Sequence, residues 1–447
     1  MPARGTTDSG EGAKVPFGFR CGEIVKGATA LIPIDIASRR RSPLTGMGAP
    51  QGLMNMRKIL LTNFHPQQDS GGGHTRYVRT ILESELRSEF KFGVAAPQGS
   101  GVWSTGRAFD VPTFPCDFPG NLKEVVQMVR AVRRFGQIYR EWTPDMIHMN
   151  GSRDQGIVVL WKKLSGCAVP LIRAHLAVRC IPNHAYNRWS YGKMVEGHIY
   201  VGHSAKNISW AAGFLRPPNA RVIPVGVNVD FWRPRPKDPA YLTKFGLTPT
   251  DFVFGSHAGM GGHKRTDLFL RAAALQLGRE GRPFKILLKG KEDEIHNSQR
   301  LATQLGLRNV LYVRHEPDPR GYLSVLDVGF VLSESIEAIS FAARELMAMG
   351  KPLISSNYAG LVENVDDGLN GRLVDCGDVA GVAEAIGWFL SLDSEALKRL
   401  GQNARDKAEQ VFDVRKQSQA LRSYYHEVLA GFERPREAIG PDLGAQS

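Results

Sequence analysis

The sequence predicts an α/β protein of two doubly wound parallel sheets, each wrapped by helices and facing the other across a cleft. Two observations carry this. Short apolar runs alternate with amphipathic helical stretches, and the rhythm restarts after a proline-rich segment halfway along the chain. Composition agrees: 42% of the 447 residues are apolar and 23% charged, with 48 Gly and 26 Pro, which is ordinary for a globular chain with two or three cores. No apolar stretch approaches the roughly 18 residues that a membrane span needs.

Residues 1–55 are rich in Gly, Pro, Ser and Arg without periodicity and read as a flexible extension. Met54 and Met56 stand just before the first strand, so translation is expected to start at one of them; a native peptide from residues 5–40 would contradict this. Residues 1–30 show no apolar signal core, which places the chain by default in the cytoplasm. Residues 56–231 form a first domain, with strands expected at 58–63, 91–96, 145–149, 170–174, 198–202 and 221–225. Pro224, Pro234 and Pro236 mark a boundary, and residues 232–414 form a second domain. Its strands are expected at 252–256, 285–289, 309–313, 328–332, 352–355 and 372–374, with helices at 265–279 and 341–349 among others. Residues 415–432 read as a long final helix and 433–447 as a tail.

Charge is distributed unevenly. Lys and Arg outnumber Asp and Glu by 22 to 12 over residues 56–230, whereas the counts are 28 and 28 over 231–447. A basic first domain suits an anionic surface or a phosphorylated substrate, and equally a soluble basic face. Residues 121–142 sharpen the point. Leu122, Val125, Met128, Val129, Val132, Phe135, Tyr139 and Trp142 fall on one helical side, with Lys123, Arg130, Arg133, Arg134 and Arg140 largely opposite. Such a helix packs on a core with a solvated back, or rests on anionic lipid. The five cysteines, Cys21, Cys116, Cys167, Cys180 and Cys376, form no C-x-x-C pair and are expected as free thiols.

Two motifs point to chemistry. After the first strand, Gly71-Gly72-Gly73 opens a helix, where backbone can approach a phosphate and first-turn amides can hold it. The same turn also serves as a plain strand-to-helix connection. Walker A is absent. In the second domain, Glu337 and Glu345 lie about 80° apart if they share a helix. If Glu337 instead ends a strand and the helix begins near Ser340, then Glu337, the amides around Ile339, Ser340 and Phe341, and Glu345 border one cleft, fit for a diphosphate and sugar hydroxyls. A solvated helix with incidental glutamates fits the spacing as well. His148 and His175 each end an expected strand of the first domain, at the lip where substrates lie. No histidine pair has metal-ligand spacing, and no D-x-D occurs.

The run from Glu337 through Glu345, Gly350-Lys351-Pro352 and Ser356 to Val374 resembles the signature of GT-B fold, family 4 retaining glycosyltransferases, also called glycosyl transferases group 1. Gly71–Gly73, residues 147–151, residues 223–234 and Lys264 are similar to that family in the same order, so the likeness spans about 57–430. The resemblance implies two Rossmann-like domains, the first for the acceptor and the second for a nucleotide-diphosphate sugar such as UDP- or GDP-hexose. It implies that Glu345 holds the donor ribose, Glu337 sits by the transferred sugar, Lys264 neutralises the diphosphate, and Gly72 and Gly73 approach it from the other side. His175 is implied on the acceptor side, and the final helix crosses back onto the first domain. The family usually has an arginine a few residues before the lysine; residues 255–263 contain none, and Arg265, Lys289 or His257 are candidates to compensate. The expected function is metal-independent retaining transfer of a hexose to a glycan or lipid-linked acceptor, with no bound cofactor and no nucleic acid partner. An epimerase or phosphorylase of the same shape, or a non-catalytic anion-binding protein, are the alternatives.

Overall fold

A computed structural model describes residues 56–66, 72–120, 124–277, 279, 281–314, 316, 318–335 and 337–432, all within one compact unit, Met47–Ser447. The extension 1–55, the tail 433–447, Gly71, Leu122 and Lys123 lie outside the described residues.

The first sheet contains β1 (Arg57–Thr62), β2 (Phe90–Ala96), β3 (Thr113–Pro115), β4 (Met146–Met149), β5 (Leu171–His175), β6 (Gly197–Tyr200) and β7 (Ala220–Val222), all parallel, in the order 3-2-1-4-5-6-7. The second contains β8 (Phe252–Ser256), β9 (Phe284–Lys289), β10 (Val310–Val313), β11 (Val328–Val331), β12 (Leu353–Ser356) and β13 (Gly371–Val374) in the order 10-9-8-11-12-13. Both orders reverse direction once, between β1 and β4 and between β8 and β11. The crevice outside the carboxyl ends at such a reversal is where doubly wound sheets bind ligands. Strands buried on both faces read as continuous apolar runs, which explains why twelve of them were legible. Only β3 escaped, being three residues long, containing Pro115 and pairing with β2 alone.

One apolar core runs through both domains. It joins Ile59 and Val78 of the first to Leu346 and Met347 of the second through Val225, Val227, Val229 and Trp232 of the connecting segment. That segment is stapled from the far end of the chain. Val227 N donates to Phe412 O at 2.8 Å and Val414 N to Val227 O at 3.0 Å. Gly226 N donates to Gln417 Oε1 at 2.7 Å, and the Arg405 guanidinium donates to the Val229, Trp232 and Ala348 carbonyls. Arg344, fully buried, reaches the Val225 carbonyl and Asn364 and stacks on Phe412. The final helix, Val414–Ala430, then packs on the first sheet, where Tyr425 meets His148 and Tyr424 donates to Asn219 O.

The basic helix is Val125–Trp142, seated through Ala131, Phe135 and Ile138. Val125 and Val129, expected on its packed side, are exposed, as is Val126. Periodicity fixes an angle around the axis, but burial also needs something opposite, and the first turns have no such cover. No helix among the described residues is long and apolar enough to cross a membrane. Cys116, Cys167, Cys180 and Cys376 are free thiols.

Candidate active site

The reversal point of the second sheet supplies most of the site. From β8 the chain runs through His257 to a 3-10 turn, Gly262–Lys264, and Arg265 takes a left-handed conformation at φ 50° before the next helix starts at Thr266. From β11 it runs through a loop to the helix Phe341–Ala348, the cleft helix below. Glu337 therefore stands in the loop, six residues past Val331, neither at a strand end nor within the helix that carries Glu345. Its carboxylate receives the Lys264 ammonium. Arg265 is doubly engaged, by Glu334 and by Asp267 at 3.0 Å, and these two carboxylates hold its guanidinium more firmly protonated than usual.

Ser340 caps the cleft helix, its hydroxyl accepting from Ala343 N at 3.3 Å while its carbonyl accepts from Arg344 N at 3.1 Å. Of the first-turn donors this leaves Phe341 and Ala342, beside Ile339, for a ligand. Glu345 follows one turn on, fully buried. One of its oxygens meets His257 Nε2 at 3.3 Å, and His257 Nδ1 contacts the Tyr322 hydroxyl at 2.5 Å. The other oxygen is paired with Arg76, from the first domain, whose guanidinium also lies 4.2 Å over the Phe341 ring. His257, a candidate to compensate for the missing arginine, is thus held between Tyr322 and Glu345. Lys289 ends β9, next to β8, and is half-buried.

Arg76 belongs to the helix Gly73–Glu83, which follows the glycine motif at the reversal point of the first sheet. Gly72 is the helix cap without a side-chain hydrogen bond, and a Cβ on Gly73 would meet nothing within 4 Å, so the backbone there is open to approach. A second contact closes the domains together. Glu363 Oε1 accepts from Ser204 N at 2.6 Å, at the start of the helix His203–Ser209, where a carboxylate complements the helix dipole.

The two histidines differ. His175 is 7% exposed at the end of β5, stacked 4.3 Å from Tyr200, with Nε2 at 3.2 Å from His198 Nδ1. His198 Nε2 faces the Tyr191 carbonyl at 2.9 Å and must donate there, so His198 Nδ1 accepts and His175 Nε2 donates, leaving His175 Nδ1 as its proton acceptor. Burial, then Arg173, keep His175 neutral, well below the usual histidine range. His148 does not stand at the lip as expected. It is fully buried, with Nδ1 at 2.7 Å from the Tyr425 hydroxyl, and burial pushes it down to about 3. Side chains alternate along β4, and His148 faces the layer that the final helix covers.

The structure thus brings Lys264, Arg265, Glu337, Ile339, Ser340, Phe341 and Glu345 around one end of the second sheet and sets the helix of Gly72 and Gly73 against Glu345. His175 remains within the first domain. Arg76, Tyr322 and Glu363 were not singled out from sequence. Only Arg76 left a signal there: a cation four residues past a helix cap opposes the helix dipole and calls for another reason to be present. Among the described residues, no three His, Cys, Asp or Glu side chains gather as a metal site.

Two facing Rossmann-like domains with a site at the second reversal point define the GT-B fold. Residues 239–407, in the second domain, match the model of the glycosyl transferases group 1 family. Among proteins similar in sequence are the lipopolysaccharide core biosynthesis glycosyltransferase LpsE of Rhizobium meliloti and the D-inositol 3-phosphate glycosyltransferase of Mycolicibacterium smegmatis. The first is 34% identical over 120 residues, 27% of this chain and 35% of the relative. The second is 32% identical over 189 residues, 40% and 41% of the two. The chain spans about a third to just over half the length of the curated relatives it matches. Among solved structures, a glycosyltransferase from Rickettsia africae aligns with TM-score 0.73 at 17% identity, covering 84% of this chain and 99% of that one. Anabaena HepE in complex with UDP-glucose aligns with TM-score 0.69 at 18% identity, covering 83% and 99%. At these identities the structural likeness speaks for the fold.

Proposed function

We propose that the protein is a retaining glycosyltransferase that moves a hexose from a nucleotide-diphosphate sugar to a hydroxyl of a glycan or lipid-linked acceptor, in the assembly of a cell-surface polysaccharide or glycolipid. The observation that carries this reading is the arrangement of Lys264, Glu337, the free amides of Phe341 and Ala342, and Glu345 around one cleft at the reversal point of a group 1 domain. Glu345 accepts the ribose hydroxyls and Glu337 those of the transferred sugar. The bond from the anomeric carbon to the diphosphate oxygen breaks, and the leaving oxygen keeps the electron pair. Lys264 and the helix amides stabilise that charge. The acceptor hydroxyl attacks from the same face, and its proton passes to a phosphate oxygen, so the configuration is retained without a protein nucleophile or a metal. His175, neutral and with Nδ1 as its lone-pair nitrogen, lines the acceptor side.

The membrane-facing part of the proposal rests on the helix Val125–Trp142, where exposed Val125, Val126 and Val129 adjoin exposed Arg130 and Arg133. Apolar tips flanked by cations suit the surface of an anionic bilayer, which supports a location at the inner face of the plasma membrane. A turnover assay with donor and candidate acceptors tests the catalytic reading. Glu345→Ala and Lys264→Ala are each expected to abolish transfer with folding intact, and unaltered turnover in both refutes the assignment. Donor conversion without acceptor indicates an epimerase, and a requirement for inorganic phosphate indicates a phosphorylase.

A further inference from the structure

The charged groups of the cleft are ion-paired, and the pairs show what a donor must rearrange. Lys264 is paired with Glu337, Arg76 with Glu345, and Arg265 with Glu334 and Asp267. Arg265 is closed off by its two carboxylates. The remaining groups are two cations and two anions, in pairs that converge on the start of the cleft helix. Both oxygens of Glu345 are occupied, one by Arg76 and one by His257, and the carboxylate is sealed from solvent. A ligand that places hydroxyls on Glu345 therefore has to displace Arg76, and one that places hydroxyls on Glu337 loosens Lys264 in the same way.

We propose that Arg76 is a donor-binding residue that works by partner exchange: the ribose takes its place on Glu345, and the freed guanidinium turns to the diphosphate. The inference rests on the nucleotide-sugar reading above. Charge arithmetic favours it. Hydroxyls are neutral, so the two glutamates keep their charges when covered, and Lys264 and Arg76 are the cations of these pairs set against them and a diphosphate of two negative charges in its sugar-linked form; removing Arg76 would deepen that negative excess. Without Arg76, Lys264 and the amides of the cleft helix would face that dianion with no arginine from residues 255–263. The geometry permits the exchange. Arg76 springs from the turn after Gly72 and Gly73, its side chain is a quarter exposed, and it rests on the ring of Phe341, the residue that opens the cleft helix. Burial lowers its pKa only to about 10, so it stays a cation at neutral pH. Because Arg76 comes from the first domain, the same contact ties domain closure to the presence of the diphosphate.

The test is calorimetric titration of the full chain with UDP, GDP and ADP and with the matching nucleosides, in wild type, Arg76→Gln and Arg76→Lys, with urea unfolding as the folding check. For the diphosphate that wild type binds, Arg76→Gln is expected to weaken binding roughly 10- to 100-fold, as for one charge-assisted contact. Nucleoside binding should be unchanged or tighter, because Glu345 has lost its competitor. Arg76→Lys, which keeps the charge, should recover most of the loss. Diphosphate binding by Arg76→Gln that equals or exceeds wild type would mean a mere latch, and equal weakening of nucleoside and diphosphate would mean a shaping role; either overturns the inference. Arg76→Lys failing as badly as Arg76→Gln overturns it too. If wild type itself binds none of the three diphosphates, the nucleotide-sugar reading has failed, which separates that failure from a failure of the exchange.

Discussion

Gly360 is the residue whose replacement tests the site most severely without touching any charged group in it. It lies in the 3-10 turn Ala359–Glu363, and a Cβ there would stand 1.6 Å from the Ala338 carbonyl oxygen and 2.4 Å from its carbon, where real contacts keep 3.0 Å or more. The obstacle is backbone, so no side-chain rotation relieves it. Either the loop 337–340 moves, and with it Glu337 and the cap of the cleft helix, or the turn moves and withdraws Glu363 from Ser204. Overpacking costs about 1–3 kcal/mol, and loss of a charge-assisted interdomain hydrogen bond about 1.5–3 kcal/mol. Gly360→Ala should therefore lower the unfolding free energy by about 3 kcal/mol in urea titration. It should also weaken nucleotide binding roughly 10-fold, the loss of about one hydrogen bond. Gly156→Ala is the control. A Cβ on Gly156 meets nothing within 4 Å, in the middle of the helix Ser152–Ser165, so it should stabilise by about 0.5–1 kcal/mol. Stability within about 0.5 kcal/mol of wild type and unchanged affinity in Gly360→Ala would refute the claim that this turn holds the site in place.

Other expectations concern the first domain. Burial, its largest cause, lowers His74 and His148 to about 3 and His198 to about 4. These rings stay neutral in the native state while the unfolded chain takes up protons. The stability they contribute is complete above pH 6.5 and is lost as pH falls, by about 1 kcal/mol for each between pH 6.5 and 5.5. Urea midpoints that do not change over that range would contradict the burial of these rings as neutral groups. On anionic vesicles, wild type should float and the double variant Arg130→Glu, Arg133→Glu should not; equal partitioning to neutral and anionic lipid removes the membrane proposal.

The sheets were legible because each buried strand is a compact apolar run, and the cleft helix because Ser340 is a helix cap followed by apolar periodicity. The site was legible only as far as local sequence reaches. Lys264 ends its 3-10 turn, Glu337 stands in the loop after β11 and Glu345 lies one turn into the cleft helix, and the loops after β8 and β11 bring the first two together. Arg76 meets Glu345 across 269 residues, through the packing of one domain on another, and no local pattern reports that. His148 illustrates a different gap. Its position near a strand end was correct, but the side chain faces Tyr425, a partner 277 residues away. Val125 and Val129 fell on the apolar stripe of their helix and yet are exposed, since a stripe records an angle and not a neighbour.

The central claim is that the cleft between the two sheets binds a nucleoside diphosphate through Glu345 and Lys264. Calorimetric titration of UDP, GDP and ADP into wild type, Glu345→Ala and Lys264→Ala tests it most directly. Wild type is expected to bind one diphosphate with micromolar affinity and both variants to lose that binding, with their unfolding transitions intact. Absence of binding to all three, or undiminished binding in both variants, would contradict it.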